Sequence, residues 1–443
     1  MELRDFIVTP LLIVMVYAIA YFIRPWVTDA NSRRYFLSAL TVKIVGALAL
    51  GFVYQFYYNG GDTFNYHTFG SRVIWDAFTD DPVLGLKLIF FPNENPTGIF
   101  TYTSKILFFS DPSSYFVIRI AAFLDLFTFS AYSATAVLFG TISFIGSWLF
   151  FLTFYKQYPH LHRWIAISAF FIPSVAFWGS GILKDTIILA CLGASTYEVK
   201  KVFIDRKIGI GSLLLLVVFG MVIYAIKKYI LLCFLPAALF WIYASNLSNI
   251  RSAMVKILFI PLVIIVTVFS GYFAVLKVGE SDPRYALDKL AKTARITAYD
   301  IGFYTGKNAG SGYSLGELDD SFVGMVRLAP QAINVSLFRP YLWEVKNPLM
   351  LLSAVESLVL LAITAYLLLR TNLNFFRSLS DPNVLFCMIF SITFAFAVGV
   401  STFNFGTLAR YKIPLLPFYL IGLTLIADYS NKERKLDVLE TTE

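Results

Sequence analysis

Stretches of about 20 apolar residues recur from one end of this chain to the other, and no other feature restricts its folding so strongly. A hydrocarbon layer of about 30 Å takes about 20 residues of helix to cross. Inside that layer the backbone must hydrogen-bond to itself, so a continuous apolar run reads as a helix. The plainest runs are Phe6–Phe22, Leu37–Phe56, Ala131–Phe154, Ile257–Val275 and Pro348–Leu369. Shorter ones are Trp164–Trp178, Ile182–Tyr197, Gly211–Ile226, Tyr229–Ser245, Val384–Val400 and Ile413–Ala427. Together they predict about eleven crossings. The 443 residues are 58% hydrophobic and 14% charged, against about 45–50% and about 25% in soluble domains. The expected class is therefore all-α, a polytopic transmembrane helical bundle in contact with membrane lipid. The first run lacks a basic leader and a small-residue exit, so it is expected to stay as a crossing rather than be cleaved. Cys191, Cys233 and Cys387 all fall in apolar segments and are expected to be free, packed thiols.

Lys and Arg collect in short cytoplasmic loops. They occur at Arg33 and Arg34, at Lys156 and Arg163, and at Lys200, Lys201, Arg206 and Lys207. They recur at Arg251 and Lys256, at Arg370 and Arg377, and in the tail at Lys432, Arg434 and Lys435. These sets fall on alternate loops if the N-terminus is outside and the C-terminus cytoplasmic, provided Tyr115–Ser130 lies on the outer surface rather than spanning. The map divides the chain into 1–56, two crossings; 57–130, an outer loop with Asp62 and interfacial helices; and 131–276, further crossings. Then come 277–347, an outer helical subdomain; 348–428, the last three crossings; and 429–443, a cytoplasmic tail. In the second outer segment Ser281-Asp282-Pro283 offers a helix start, Tyr285–Tyr299 an amphipathic helix and Gly306–Gly316 a loop.

The net charge of +8 is mostly accounted for by cytoplasmic loops facing anionic lipid. Seven cations do not fit that explanation, because the map puts them at outer membrane ends: Lys184, Lys227, Lys228, Arg327, Arg339, Arg410 and Lys412. Cations converging there suit a phosphate; pairing with nearby acids, or reaching out to headgroups, is the alternative. Asp62 sits in Asn59-Gly60-Gly61-Asp62-Thr63-Phe64-Asn65-Tyr66-His67, just past the second crossing. A carboxylate there can act as a general base, or it can simply begin the next helix. Trp178-Gly179-Ser180-Gly181-Ile182-Leu183-Lys184-Asp185 is a second glycine-bounded break with an adjacent cation and anion. Phe338-Arg339-Pro340-Tyr341-Leu342-Trp343-Glu344 and Asn404 to Pro414 each set an Arg among aromatics and a proline, either as site or as interfacial belt. Asp62, Asp80, Asp81 and Asp111 could hold a divalent metal only if the fold gathers them. His160 and His162 lie in a basic loop and are expected to be solvated. The chain has no P-loop, dinucleotide fingerprint, HExxH or nucleophile elbow, and nothing in it suits nucleic acid.

Three strings together resemble a family: Gly-Gly-Asp62 with Tyr66, the Trp178 to Asp185 break, and Asn404-x-Gly-x-x-x-Arg410-Tyr-Lys-x-Pro414. They look like bacterial cell-surface glycan enzymes, both the GT-C glycosyltransferases that use polyprenyl-phosphate sugars and the Wzy-like or EpsG-like polymerases. The resemblance implies a GT-C-like fold in the inner (plasma) membrane and an outward-facing site. It further implies a polyprenyl-linked sugar donor, a glycan or lipid-linked acceptor, and Asp62 as catalytic base. Arg410, with Lys184 or Lys227, would hold the donor phosphate; Asp185, Lys228, Arg339, Tyr66 and Trp343 would complete the binding site. This sequence departs from the usual pattern in placing its acid after the second crossing rather than the first, which leaves polymerase and single-sugar transferase both open. The rival class is a transporter or flippase for a lipid-linked or anionic substrate.

Overall fold

The computed structural model describes residues 2–91, 98–247, 289–301, 311–316, 322–371 and 374–442. Among them the chain is helical, with no strand beyond one isolated bridge between Gly312 and Asn404. Six helices are long and apolar enough to cross a membrane, and a bent pair, Phe405–Tyr411 with Leu415–Glu433, makes up to seven. Ile210–Ile226 is a shorter apolar helix. Side chains such as Phe6, Leu11, Val14 and Leu352 stand exposed along these helices, as lipid-facing positions do. The protein is thus a multi-pass helical membrane protein. The predicted run Ile257–Val275 and the Ser281–Pro283 helix start lie outside the described residues, as do residues 306–310 of the predicted loop. The chain divides into two compact units, Met1–Tyr197 with Leu214–Lys227, and Glu198–Leu213 with Lys228–Glu443.

In the first unit, α1 (Leu3–Val27), α2 (Arg33–Phe56) and α8 (Tyr132–Tyr155) alternate in direction. At one end Asp29, between α1 and α2, accepts hydrogen bonds from Tyr155 at the close of α8. Arg34 meets His162 at 3.1 Å there, and the Lys156 ammonium lies over the Tyr197 ring, so the first basic loops share one end. At the other end the Ser133 amide donates to Asp5, and Arg4 donates to the Phe129 carbonyl.

Between α2 and α8 runs a chain of short helices: α3 (Asp62–Tyr66), a π-turn (His67–Ser71), α4 (Arg72–Asp80), α5 (Pro82–Phe90), α6 (Phe100–Thr103) and α7 (Pro112–Thr128). Asp81 and Asp111 start α5 and α7 by accepting backbone N–H bonds ahead of a first-turn proline. Asp111 also holds Lys184, at the start of α11 (Lys184–Val199), while the far end of α7 is held by Arg4 at the start of α1. Both tethers are at the same end of the unit, so α7 runs along that end.

The run Trp164–Trp178 is not one helix. It divides into α9 (His162–Phe170) and α10 (Pro173–Trp178), because Pro173 lacks an N–H and pushes Ile172 into extended backbone. Past Trp178 the chain breaks again. Lys43, buried in the middle of α2, donates to the carbonyls of Val175 and Gly179 at 3.2 and 3.0 Å, and Ser143 donates to Gly179 as well. A cation at the C-terminal end of α10 thus replaces the donors that a continuing helix would supply. Small residues let the long helices approach: a Cβ on Gly146 of α8 would fall 2.2 Å from the Ala190 carbonyl oxygen of α11. The unit closes with the later part of α12 (Ile210–Ile226).

The second unit contains α13 (Lys228–Leu247), α14 (Leu290–Ile301), α15 (Phe322–Arg327), α16 (Ala329–Phe338), α17 (Pro348–Thr371), α18 (Asn374–Ser378), α19 (Pro382–Ser401), α20 (Phe405–Tyr411) and α21 (Leu415–Thr442). Its centre is α19. Trp241 of α13 donates to Asn383 and stacks on Phe386 at 4.3 Å, Phe418 of α21 meets Phe390 at 4.4 Å, and Ser336 of α16 donates to the Ala395 carbonyl. Pro414 ends α20, and α21 departs at 65°. The buried Lys412 fills that bend, donating to Ser357 of α17 at 3.0 Å. The three cysteines are free.

The α8–α11 contact generates a prediction. Gly146→Val forces the two backbones apart, and overpacking of this kind costs about 1–3 kcal/mol. Gly220→Val, where nothing lies within 4 Å, should be silent. Thermal unfolding in detergent should show a drop of several degrees for the first and none for the second; equal melting would refute the close approach.

Candidate functional site

The Asp62 loop is built by backbone that only glycine and asparagine adopt readily. Asn59, Gly60 and Gly61 have φ of 55°, 126° and 118°, and the chain reverses through them to begin α3 at Asp62. Gly61 packs so closely on Tyr54 that a Cβ there would come within 2.9 Å of the ring. The same Tyr54 ring meets Trp178 edge-on at 6.3 Å. Through Tyr54, near the end of α2, the Asp62 loop and the Trp178–Asp185 break therefore sit side by side.

Tyr66 is buried and packs on Phe108 at 5.5 Å, three residues before Asp111. Lys184 then reaches Asp111 at 3.2 Å and Ser113 Oγ at 2.6 Å. Its neighbour Asp185 is fully buried and forms an ion pair with the buried Lys227. Asp62, Tyr66, Lys184, Asp185 and Lys227 are thus gathered at one end of the first unit.

The other predicted residues belong to the second unit. Arg339 grips Glu344 with Nε and Nη2 and lies among three rings, 5.8 Å from Tyr313, 5.8 Å from Tyr341 and 5.2 Å from Phe405. The Phe338–Glu344 string and the Asn404–Pro414 string therefore meet, and the Arg339 carbonyl also accepts from Ser357. Asn404 caps α20 through its own side chain. Arg410 is buried, with its guanidinium 5.9 Å from the centre of the Tyr411 ring. Lys228 is half-buried at the start of α13. Trp343 is 82% exposed and stacks only on Tyr341, so it is an interfacial side chain rather than part of an enclosed site.

The sequence left two readings of the outer cations open, and three of them are seen paired with acids. Lys184, Lys227 and Arg339 do not stand as bare cations; each is matched by a carboxylate, Asp111, Asp185 and Glu344. The reason is physical: a cation at membrane depth is stabilised by a nearby acid whether or not a ligand is bound. The carboxylates weighed as metal ligands are also dispersed. Asp80 accepts from Tyr102, while Asp81 and Asp111 cap helices. Among the described residues no group of three or more His, Cys, Asp or Glu gathers at one point.

Two buried charged groups escaped the sequence reading, and a third group was read for another role. Lys43 and Asp125 both lie inside apolar runs, and an ionisable residue in such a run was the available signal. Asp125 accepts from Ser71 at 2.6 Å and from Thr135, and it lies 3.6 Å from His67 Nε2. Asp111 was noticed only as a possible metal ligand, although its spacing before Pro112-Ser113-Ser114 marks a helix start.

The Asp111–Lys184 tether is pH-sensitive. Burial raises the Asp111 pKa, but Ser114, the Lys184 charge and Ser113 overcome it and hold the carboxyl below its ordinary value. Glu344 behaves alike: burial raises it, and Arg339 brings it below its usual range. Because both folded values are depressed, their stabilisation is complete above the unfolded values, near about 4, and disappears as pH falls through the folded ones. Melting temperature in detergent should be flat down to about pH 5 and fall below about pH 4. Asp111→Asn should lower the plateau and flatten part of the acid limb; an unchanged acid limb would show the tether contributes nothing.

Compared with family models, with curated proteins and with solved structures, the chain matches none.

Proposed function

We propose that this protein transfers sugar from a polyprenyl-(di)phosphate-linked donor on the extracytoplasmic side of a plasma membrane, as a glycosyltransferase or polysaccharide polymerase of GT-C-like architecture. In this reading the chain crosses about eleven times, with its N-terminus outside and its C-terminus cytoplasmic. The observation that carries the proposal is the meeting of the Asp62 loop with the Lys184–Asp111 pair at one end of the first unit.

Such a site supplies what the chemistry requires. The acceptor hydroxyl gives its proton to the Asp62 carboxylate as its oxygen bonds to the anomeric carbon. The bond from that carbon to the phosphate oxygen breaks, and the lipid (di)phosphate leaves with the electron pair. Negative charge grows on the leaving group and needs a fixed cation. Lys184 takes this role by exchanging Asp111, whose side chain is 43% exposed, for the donor phosphate. Lys227 and Asp185 stay paired and hold the start of α11 in place.

A transporter or flippase is the second reading. It is favoured by one observation, the buried Lys43 and Lys412 at broken helices, since transporters bind substrate at such breaks.

Purified protein offered polyprenyl-linked sugars in detergent separates the two. Wild type should form product, and Asp62→Asn should lose about 10²–10⁴-fold in rate while inserting normally. Equal turnover by Asp62→Asn would remove Asp62 as base. No turnover with any donor, together with lipid-linked sugar translocation in vesicles, would favour the transporter.

A further inference from the structure

Beside the Asp62 loop the first unit encloses a cavity of about 350 Å³, lined by residues of α1, α2, the 59–72 segment and the start of α8. That size is at the small end of the range of about 300–1,000 Å³ for small-molecule sites, which suits a ligand of one or two rings.

Its charged groups are already committed. Asp5 accepts from the amides of Glu2 and Ser133, and Arg72 pairs with Glu2 and donates to the Ser130 carbonyl. Glu2 also pairs with Arg4 at 2.9 Å, so these charges are matched and neither guanidinium stands bare for a phosphate. The neutral polar groups are not committed: Gln55, Asn59 and Thr68 line the cavity and make no side-chain hydrogen bond among the described residues. Aromatic surface completes it, from Phe64 stacked on Tyr132 at 4.5 Å and from the half-exposed Phe69.

We infer that this cavity binds a neutral sugar ring, the acceptor of the transfer, and this rests on the function proposed above. A pyranose presents an apolar C–H face that packs on aromatic rings. Its hydroxyls both donate and accept, which matches two primary amides and a threonine hydroxyl. Asn59, Gly60 and Phe64 line the cavity within three residues of Asp62 in the chain, which places the sugar on the same loop as the residue assigned as base, although Asp62 is not itself one of the walls.

The test uses the full chain in an amine-oxide detergent, which carries neither sugar nor phosphate. Saturation-transfer NMR with methyl glycosides of glucose, galactose, mannose and N-acetylglucosamine should detect binding of at least one. Gln55→Leu with Thr68→Val should weaken that signal several-fold, and millimolar inorganic phosphate should not displace it. Should the double variant misfold, Asn59→Gly removes the third group while suiting the φ of 55°, and the same weakening is expected. Binding by no glycoside, undiminished binding by folded variants, or displacement by phosphate would each overturn the inference. Glycoside binding without turnover of any lipid-linked donor would retain the sugar site and overturn the transferase reading. Turnover with an unchanged acceptor KM in the variants would do the reverse.

Discussion

Backbone groups that face no water must find partners within the protein, and at the first break in this chain they find them in the side chains of Lys43 and Ser143. At the first break Lys43 reaches across from α2 to the exposed carbonyls that end α10. At the second, Lys412 occupies the bend between α20 and α21 and bonds Ser357. Without Lys43 the Gly179 carbonyl would keep only Ser143, and without Lys412 the α20–α21 bend would lose its hydrogen bond to α17. The position of the first break then decides where Lys184 and Asp185 emerge, and so where α11 begins beside the Asp62 loop.

The helical class was legible because continuous apolar runs admit few alternatives, and the long helices α1, α2, α8, α17 and α19 follow their runs closely. Trp164–Trp178 was less legible. Hydropathy does not register a proline that breaks the ladder, and Pro173 divides that stretch into two helices. Between α2 and α8 the sequence pointed to interfacial helices but not to their number or ends, since those depend on side-chain caps such as Asp81 and Asp111 rather than on periodicity. For the site, the glycines of 59–61 and 179–181 marked special backbone from the sequence alone. What the sequence did not disclose was which acid meets which cation: Asp111 with Lys184 and Asp185 with Lys227 join residues whose proximity only the fold creates, while Glu344 and Arg339 share one short string.

Those pairings change how an anion would bind. A site of bare cations would be costly to maintain in apolar surroundings, whereas a paired one is stable when empty and must exchange one carboxylate for the ligand. The three pairs differ in readiness for that exchange. Asp185 is fully buried against Lys227, and Glu344 is held in the fork of Arg339. Asp111 has the most exposed carboxylate of the three, at 43%. In the proposed function the exchange therefore falls to Lys184, while Lys227 keeps its own carboxylate.

The most direct measurement is an experimental structure of the full chain with a polyprenyl phosphonate sugar, whose anomeric bond cannot be cleaved. The account predicts the phosphonate on Lys184 with Asp111 released, and the sugar within reach of Asp62. A phosphonate bound elsewhere, with the Lys184–Asp111 pair intact, would contradict it.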